Sequence, residues 1–203
     1  GSEMCIRDSS VITAETLSLD TLENMALAAA DAVSRGAILL KIKLNRDAVL
    51  EKVAAIRAAA PRATLIIDAN EAWSGMDLES LLAALQGYNI AMVEQPLPAG
   101  QDQDLQRFHH PVPVCADESC HTREDIAGLR NRYEMINIKL DKCGGLTEAL
   151  AMVEEAQKQN MRIMVGCMLG SSLAMEAALP VAVNAEHVDL MALSGLLPTV
   201  LLF

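Results

Sequence analysis

Residues 37–68 read AILLKIKLNRDAVLEKVAAIRAAAPRATLIID and contain two apolar runs separated by one helical segment. The runs Leu40–Leu44 and Thr64–Asp68 are short and rich in Leu and Ile, and each is bounded by polar or turn residues, which predicts β-strands. Between them, apolar residues recur every three or four positions from Val49 to Pro61, as in an amphipathic helix. A strand, a helix and a second strand in this order predict two parallel strands joined by a crossover helix.

The same alternation continues along the whole chain. Eight strands are predicted at a spacing of about 25 residues: Thr13–Leu17, Leu40–Leu44, Thr64–Asp68, Ala91–Glu94, Val114–Asp117, Met135–Lys139, Arg162–Val165 and Val188–Leu190. Helix-period stretches lie between them, with only a brief helix expected near Gln103–Phe108. Eight such units predict a TIM-type (β/α)₈ or (β/α)₇β barrel. No GxGxxG loop follows the first strand, which disfavours a dinucleotide-binding fold.

Composition excludes several classes of function. The chain has 203 residues, of which 52% are hydrophobic and only 2% aromatic, so aliphatic residues and Met must build the core. A formal net charge of −11 argues against a nucleic-acid partner, and no apolar run is long enough to cross a membrane. The five cysteines form no CxxC pair, so we expect reduced thiols and a cytoplasmic protein rather than disulfides.

The two ends of the chain do not follow the barrel pattern. Residues 1–10, GSEMCIRDSS, resemble a cloning or adapter-derived leader and are not expected to belong to the fold. We assign residues 11–203 to one barrel domain, within which the apolar tail 192–203 is off pattern. No second domain is indicated.

Charged residues mark the ends of five successive predicted strands. The second strand ends at Lys43, and Asp68, Glu94, Asp117 and Lys139 follow at steps of 25, 26, 23 and 22 residues. The C-terminal ends of parallel barrel strands open on one face, where catalytic groups collect. A single acidic residue at a strand end is more often a loop residue or a helix cap. The prediction of a functional site therefore rests on five charges at one phase of the repeat.

Crowded charges of this kind need compensation. Lys41 lies two residues before Lys43 and shares its side of the strand. Three ammonium groups and three carboxylates are therefore expected at the face formed by the C-terminal strand ends, the mouth of the barrel. A divalent cation held by Asp68, Glu94 and Asp117 would offset the cost of grouping the carboxylates. Oxygen ligands alone favour Mg²⁺, with Mn²⁺ as a possible substitute.

Two polar residues lie beside the predicted ligands. Asn70 follows Asp68 by two positions and Glu118 follows Asp117 directly, so both are predicted to support the metal ligands.

At these positions the sequence resembles the enolase superfamily, in its muconate-lactonizing-enzyme subgroup, and most of all the dipeptide epimerases of the L-Ala-D/L-Glu type. The matching segments are Thr13–Leu17, Lys41–Lys43, Asp68–Asn70 with Trp73, Val93–Pro96, Ala116–Ser119, Ile138–Leu146, and Gly166–Met168 with Ser171 and Ser172. The resemblance implies that Lys43 and Lys139 are acid/base residues on opposite sides of the substrate, and that Lys41 is an auxiliary lysine.

The implied reaction is a 1,1-proton transfer at the α-carbon of a dipeptide, through an enolate stabilised by Mg²⁺. A lysine base requires a pKa lowered by burial and neighbouring cations. The resemblance also suggests substrate contacts from Asp189, Cys167, Met168 and Ser171. Ser171 and Ser172 equally fit a helix cap, a reading that stays open.

Two departures from the family leave alternatives open. Family members carry an N-terminal capping domain, whereas this sequence starts at the first barrel strand. Dipeptide epimerases end their barrel with Asp-x-Asp, whereas this chain reads Asp189-Leu190-Met191. Another reaction of the subgroup therefore remains possible: cycloisomerisation, o-succinylbenzoate synthesis or N-acylamino acid racemisation. So does an inactive metal-binding barrel fragment. The expected partner is a small-molecule dipeptide, and a homo-oligomer is possible.

Overall fold

A closed barrel of parallel strands forms the centre of the molecule. The computed structural model describes residues 12–168 and 172–190. Eight parallel strands pair in sequence order: β1 Glu15–Leu17, β2 Leu39–Lys43, β3 Thr64–Asp68, β4 Ile90–Glu94, β5 Val114–Ala116, β6 Met135–Ile138, β7 Arg162–Gly166 and β8 His187–Asp189. Thr13 bridges to Val188 in parallel, so the last strand meets the start of the first and closes the barrel. The predicted TIM-type barrel is confirmed.

Helices connect the strands on the outside. They are α1 Leu22–Ser34, α2 Val49–Ala59, α3 Leu78–Gln86, α4 Arg123–Leu129, α5 Leu140–Cys143, α6 Leu146–Lys158 and α7 Ser172–Ala182. The brief helix expected near residues 103–108 is a 3₁₀ helix, Gln103–Arg107. The predicted leader, 1–10, and the off-pattern tail, 192–203, lie outside the described residues. No helix in the described part of the chain is long and apolar enough to cross a membrane.

Polar side chains set the starts of several helices. The Thr21 hydroxyl accepts a hydrogen bond from the backbone of Asn24 at the start of α1, and Thr122 and Asp125 form a capping box on α4. Gly144, with a φ of 90°, lets the chain turn directly from α5 into α6, in a conformation that favours glycine.

Side-chain alternation along the strands separates two apolar cores. The outer core lies between strands and helices and includes Ile42, Ile67 and Ile138. The inner core fills the barrel beneath the mouth and consists of Ala14, Leu39, Ile66, Met92, Cys115, Met135 and Met164. Each predicted strand-end charge follows the inner-core residue of its strand by two or four positions. The predicted inward direction of these charges is therefore confirmed.

Two site residues that were predicted to end their strands lie one position beyond the strands that the structure shows. β5 ends at Ala116 and β6 ends at Ile138, so Asp117 and Lys139 follow the strands directly. Lys139 is instead the residue that precedes the short helix α5, because the chain turns into that helix as soon as it leaves the sheet. Both residues remain at the mouth.

Candidate active site

The C-terminal strand ends open into a cavity of about 800 Å³. Its lining consists of Thr16, Lys41, Lys43, Asp68, Asn70, Asp117, Glu118, His121, Lys139, Asp141, Lys142, Cys167, Met168 and Asp189. Glu94 lies just beneath this lining, buried inside the barrel. Of the site residues predicted from sequence, only Ser171 falls outside the described residues. All the others come together at this mouth.

Lys41 is the buried cation at the centre of the site. Its ammonium group lies 2.8 Å from Glu94 Oε2, 3.1 Å from Asp68 Oδ2 and 3.1 Å from Asp189 Oδ2. Burial alone would lower the pKa of Lys41, but the three carboxylates outweigh it and raise that pKa well above its ordinary value. Lys41 therefore stays protonated and cannot act as the base in this arrangement, which suits an auxiliary role.

Lys43 stands at the open rim, with 42% of its side chain exposed. Its ammonium group donates to Asn70 Oδ1 at 3.0 Å and lies 3.4 Å from Asp68 Oδ2. Asn70 is held in turn by its own backbone N–H, which donates to Asp68 Oδ1 at 3.1 Å. The predicted neighbour of the metal ligands is thus also the partner of a predicted acid/base lysine.

Lys139 lies on the other side of the mouth and pairs with Asp117. The distance from Lys139 Nζ to Asp117 Oδ2 is 2.5 Å, and Lys142 Nζ reaches Asp117 Oδ1 at 2.5 Å. Burial would raise the pKa of Asp117, but the two lysines lower it to about 2.

Burial likewise opposes the charged form of Lys139, but Asp117 and Glu94 outweigh it and raise its pKa. In this paired arrangement the pKa of Lys139 is therefore higher than a lysine base requires, because its carboxylate partners stabilise the ammonium form.

Three predicted substrate contacts lie at the ends of β7 and β8. Asp189 is paired with Lys41, and the Cys167 thiol lies 3.5 Å from the Asp189 carbonyl oxygen. The backbone N–H of Met168 donates to Asp141 Oδ2 at 2.9 Å, while its side chain is 59% exposed. These residues form one wall of the cavity.

The charge of the mouth fits a divalent cation. Six carboxylates and four lysine ammonium groups line it or lie just beneath it, which leaves a formal charge of −2 when all are ionised. Burial raises the pKa of Glu94 to about 7, and the charges of Asp68 and Asp117 add to that rise. Among the described residues, the buried oxygens Glu94 Oε2 and Glu118 Oε2 accept no hydrogen bond, although Glu94 Oε2 is within ion-pair distance of Lys41. Buried carboxylate oxygens in a cluster with a net negative charge suit a hard cation.

The predicted ligands do not converge on a single point as they stand. Within residues 12–168 and 172–190, no three His, Cys, Asp or Glu side chains are arranged to hold a metal ion. Asp68 and Glu94 turn towards Lys41, whereas Asp117 turns towards Lys139 and Lys142. The assignment of these three carboxylates as metal ligands stays a prediction.

Sequence reasoning missed several residues of the site. Lys142 follows Lys139 by three positions, about one helical turn, and Asn137 precedes Lys139 by two positions in the strand. Both spacings place these residues on the same side as Lys139 and could have identified them. His121 lies off the phase of the strand-end charges, yet it lines the cavity from the loop after β5. Trp73, in contrast, is fully buried in the outer core and donates to the Asn45 carbonyl oxygen at 3.1 Å. Trp73 therefore packs in the outer core and does not line the cavity.

The likeness to known proteins agrees with this geometry. The sequence profile of the Enolase C-terminal domain-like family matches residues 24–197. The chain belongs to this family. It is 51% identical over 180 residues to the L-Ala-D/L-Glu epimerase of Escherichia coli (strain K12), covering 89% of this chain and 56% of the relative. It is 48% identical over 179 residues to the N-acetyl-D-glutamate racemase of Pseudoalteromonas sp., covering 88% of this chain and 56% of that relative.

A solved structure of a family member carries both a metal and a dipeptide. The dipeptide epimerase of Enterococcus faecalis V583, complexed with Mg and L-Leu-L-Tyr, superposes with a TM-score of 0.84 at 34% identity, covering 91% of this chain and 55% of that one. This enolase-type chain thus spans a little more than half the length of the relatives that it matches.

Proposed function

We propose that this chain carries the catalytic barrel of a Mg²⁺-dependent isomerase, an epimerase that moves a proton at the α-carbon of an L-Ala-D/L-Glu type dipeptide. The observation that carries the proposal is the opposition of two lysines. Lys43 and Lys139 follow from β2 and β6, four strands apart in an eight-stranded barrel, so they face each other across the mouth. Between them, three successive strand ends carry carboxylates.

This opposition suits a two-base reaction. One lysine removes the α-proton from one face of the carbon, and the other returns a proton to the opposite face, which inverts the centre. To act as the base, Lys139 must first release a proton from the ammonium form that Asp117 stabilises. A one-base mechanism would not need lysines on both sides.

The metal assignment rests on charge and ligand chemistry. Asp68, Glu94 and Asp117 would hold Mg²⁺, or Mn²⁺ in its place, and Asn70 and Glu118 would support them. When bound, the ion would stabilise the negative charge that develops on the enolate oxygens. The formal charge of −2 at the mouth and the buried oxygen Glu118 Oε2, which accepts no hydrogen bond among the described residues, support this assignment.

The substrate assignment rests on the relatives. The names of the two relatives described above share a glutamate unit, as L-Ala-D/L-Glu and as N-acetyl-D-glutamate. An N-acylated glutamate is therefore the substrate class that we propose, with the dipeptide first. Asp189 offers a carboxylate for the ammonium group of a dipeptide, which N-acetylglutamate lacks. N-acetylglutamate racemisation is the second candidate, because the missing second Asp of Asp-x-Asp removes part of that ammonium site.

Deuterium exchange at the α-carbon tests these proposals. Proton NMR in D₂O would follow L-Ala-L-Glu, L-Ala-D-Glu and N-acetyl-glutamate with MgCl₂, in this chain and in the chain extended to the full length of its relatives. The isolated chain is expected to exchange slowly or not at all, because it spans only 56% of the length of its epimerase relative, and closure over the substrate and its orientation supply much of an enzyme's rate. The proposal fails if the extended form exchanges none of these substrates in the presence of Mg²⁺.

Lysine variants of the extended form test the two-base assignment. Lys43→Ala should abolish exchange from one epimer and leave some exchange from the other, and Lys139→Ala should show the reverse. Equal exchange of both epimers by both variants would contradict the assignment. Preference for N-acetylglutamate over the dipeptides would favour the second candidate.

One further observation concerns the cellular setting of the reaction. Cys115, Cys120, Cys143 and Cys167 are free thiols, as expected of the cytoplasmic location that we propose.

A further inference from the structure

Asn137 is a fully buried polar residue inside the barrel. It lies on β6 two residues before Lys139, and its amide Nδ2 donates to Glu94 Oε1 at 2.6 Å. Glu94 Oε1 has Asn137 as its hydrogen-bond donor among the described residues, while Glu94 Oε2 lies 2.8 Å from the ammonium group of Lys41. Asn137 therefore fixes one oxygen of the Glu94 carboxylate, and Lys41 holds the other.

The other end of the same amide is unsatisfied. Asn137 Oδ1 is buried and has no hydrogen-bond partner in the described part of the chain. A buried polar atom without a partner costs stability, so an apolar residue of similar shape would suit the barrel interior better on packing grounds alone. An asparagine at this depth is better explained by what its donor does for Glu94.

Gly166 on β7 supplies the space for this amide. A Cβ atom added at Gly166 would lie 2.9 Å from both Asn137 Nδ2 and Asn137 Oδ1, and 3.2 Å from Lys139 Cε. Carbon contacts under 3.0 Å essentially do not occur, so any larger residue must displace the Asn137 side chain. Gly166 lies in a strand and has no positive φ, so the need for glycine here comes from space and not from the backbone.

We infer that Asn137 is a positioning residue that orients the Glu94 carboxylate towards the proposed metal. Gly166 leaves the space that the Asn137 amide needs for this contact. The inference rests on the proposed function, because Glu94 is a proposed metal ligand. Replacing a residue that orients a metal ligand commonly weakens metal binding about 10- to 100-fold. Asn137 acts on Glu94, and Gly166 acts through Asn137, so the two positions should form one functional unit.

A double-mutant cycle tests this unit in the 203-residue chain. Titration calorimetry with MgCl₂ would measure affinity for Asn137→Ala, Gly166→Ala and the double variant, with circular dichroism to verify that each is folded. Each single change is expected to weaken Mg²⁺ binding about 10- to 100-fold. The double variant should bind no more weakly than Asn137→Ala alone, because the added methyl group then has no amide to displace.

Two control variants separate positioning from general damage. Gly128→Ala adds a methyl group in α4 where no other atom lies within 4 Å, and it should leave affinity within twofold. Val153→Ala removes buried core on α6, far from the mouth, and it should lower stability but not affinity. A purely structural role of Asn137 would make its variant behave like Val153→Ala.

The outcomes distinguish this inference from the proposed function. Affinity within twofold of the unsubstituted chain for either single variant, or full additivity in the double variant, overturns the inference. An unsubstituted chain that binds no Mg²⁺ overturns the proposed metal site itself. Urea unfolding then still reports the packing: Gly166→Ala should lower stability alone but have little further effect in the Asn137→Ala background, and an equal loss in both backgrounds overturns the contact.

Discussion

Replacing Lys41 by Met would remove the buried cation on which the site is built. Lys41 contacts three carboxylates at 2.8 to 3.1 Å, those of Asp68, Glu94 and Asp189, and only 4% of the residue is exposed. Met retains much of the length and apolar surface of the lysine side chain. The substitution therefore isolates the effect of the charge.

The expected loss of stability is large. At an effective dielectric constant of about 20, two unit charges about 3 Å apart attract by roughly 5 kcal/mol. Desolvation offsets much of that attraction in the intact cluster, but removing one partner leaves the others buried and uncompensated. We therefore expect Lys41→Met to lower the free energy of unfolding by about 3–5 kcal/mol at pH 7.

Urea unfolding with and without MgCl₂ would measure this loss. Because Asp68 and Glu94 are also proposed ligands, Mg²⁺ should recover part of the stability, by about 2.7 kcal/mol when its concentration is 100 times the dissociation constant. Lys52→Met is the matched control: Lys52 is also buried, on α2, but forms no ion pair within the described part of the chain. We expect it to cost less than about 1 kcal/mol, since its stem packs as an aliphatic chain.

A loss below about 1 kcal/mol for Lys41→Met, equal to that of Lys52→Met, would refute the account of the mouth as a compensated charge cluster. A loss of about 3–5 kcal/mol that MgCl₂ does not reverse would support the charge cluster and contradict only the metal assignment.

Three further substitutions test separate parts of the molecule. Asp117→Asn should weaken Mg²⁺ binding at least about tenfold, and unchanged affinity in calorimetry would show that Asp117 is not a ligand. Burial lowers the pKa of His187 from 6.5, so its favourable contribution is complete above pH 6.5 and is lost as the pH falls below it. His187→Gln should therefore lose less melting temperature than the parent chain between pH 7.5 and about pH 5, and an equal loss would contradict this. Tyr133→Phe removes the hydroxyl that donates to the buried Asp102 at 2.6 Å and should cost about 1–3 kcal/mol of unfolding free energy without changing Mg²⁺ affinity. A change in affinity would connect this network to the metal.

The barrel could be predicted from the sequence because its strands are short, regularly spaced and alternate with helical segments. The bounds of β3 agree with the prediction at both ends, and those of β2 differ by one residue, since Leu44 turns into the outer core as the chain leaves the sheet. The brief helix between β4 and β5 was also predicted, because the 19 residues from 95 to 113 carry prolines at positions 96, 98, 111 and 113, which shortens the stretch available to a helix.

The pairing of charges at the mouth could not be predicted in the same way. Alternation states which side of a strand a residue faces, but not which neighbour a long side chain selects. Lys41 and Lys43 share a face, yet Lys41 turns down to Glu94 whereas Lys43 turns out to Asn70. Lysine has several rotatable bonds, so its partner depends on the local charges and not on the period of the strand.

The alternation of inward and outward side chains explains why the functional residues recur at one phase of the sequence. The strand-end charges stand directly above the apolar inner core, in a register that pairs Lys43 with Asp68 and Asp68 with Glu94. A slip of one residue in a strand would move its charge under the helices and its outer-core residue into the mouth. A charge in the outer core would have no water, cation or opposite charge to compensate it, so the fold itself enforces the alternation. The requirement for a stable fold thereby fixes the inward direction of the strand-end charges. It does not fix their ion pairs, which can rearrange when a substrate or the proposed metal ion binds.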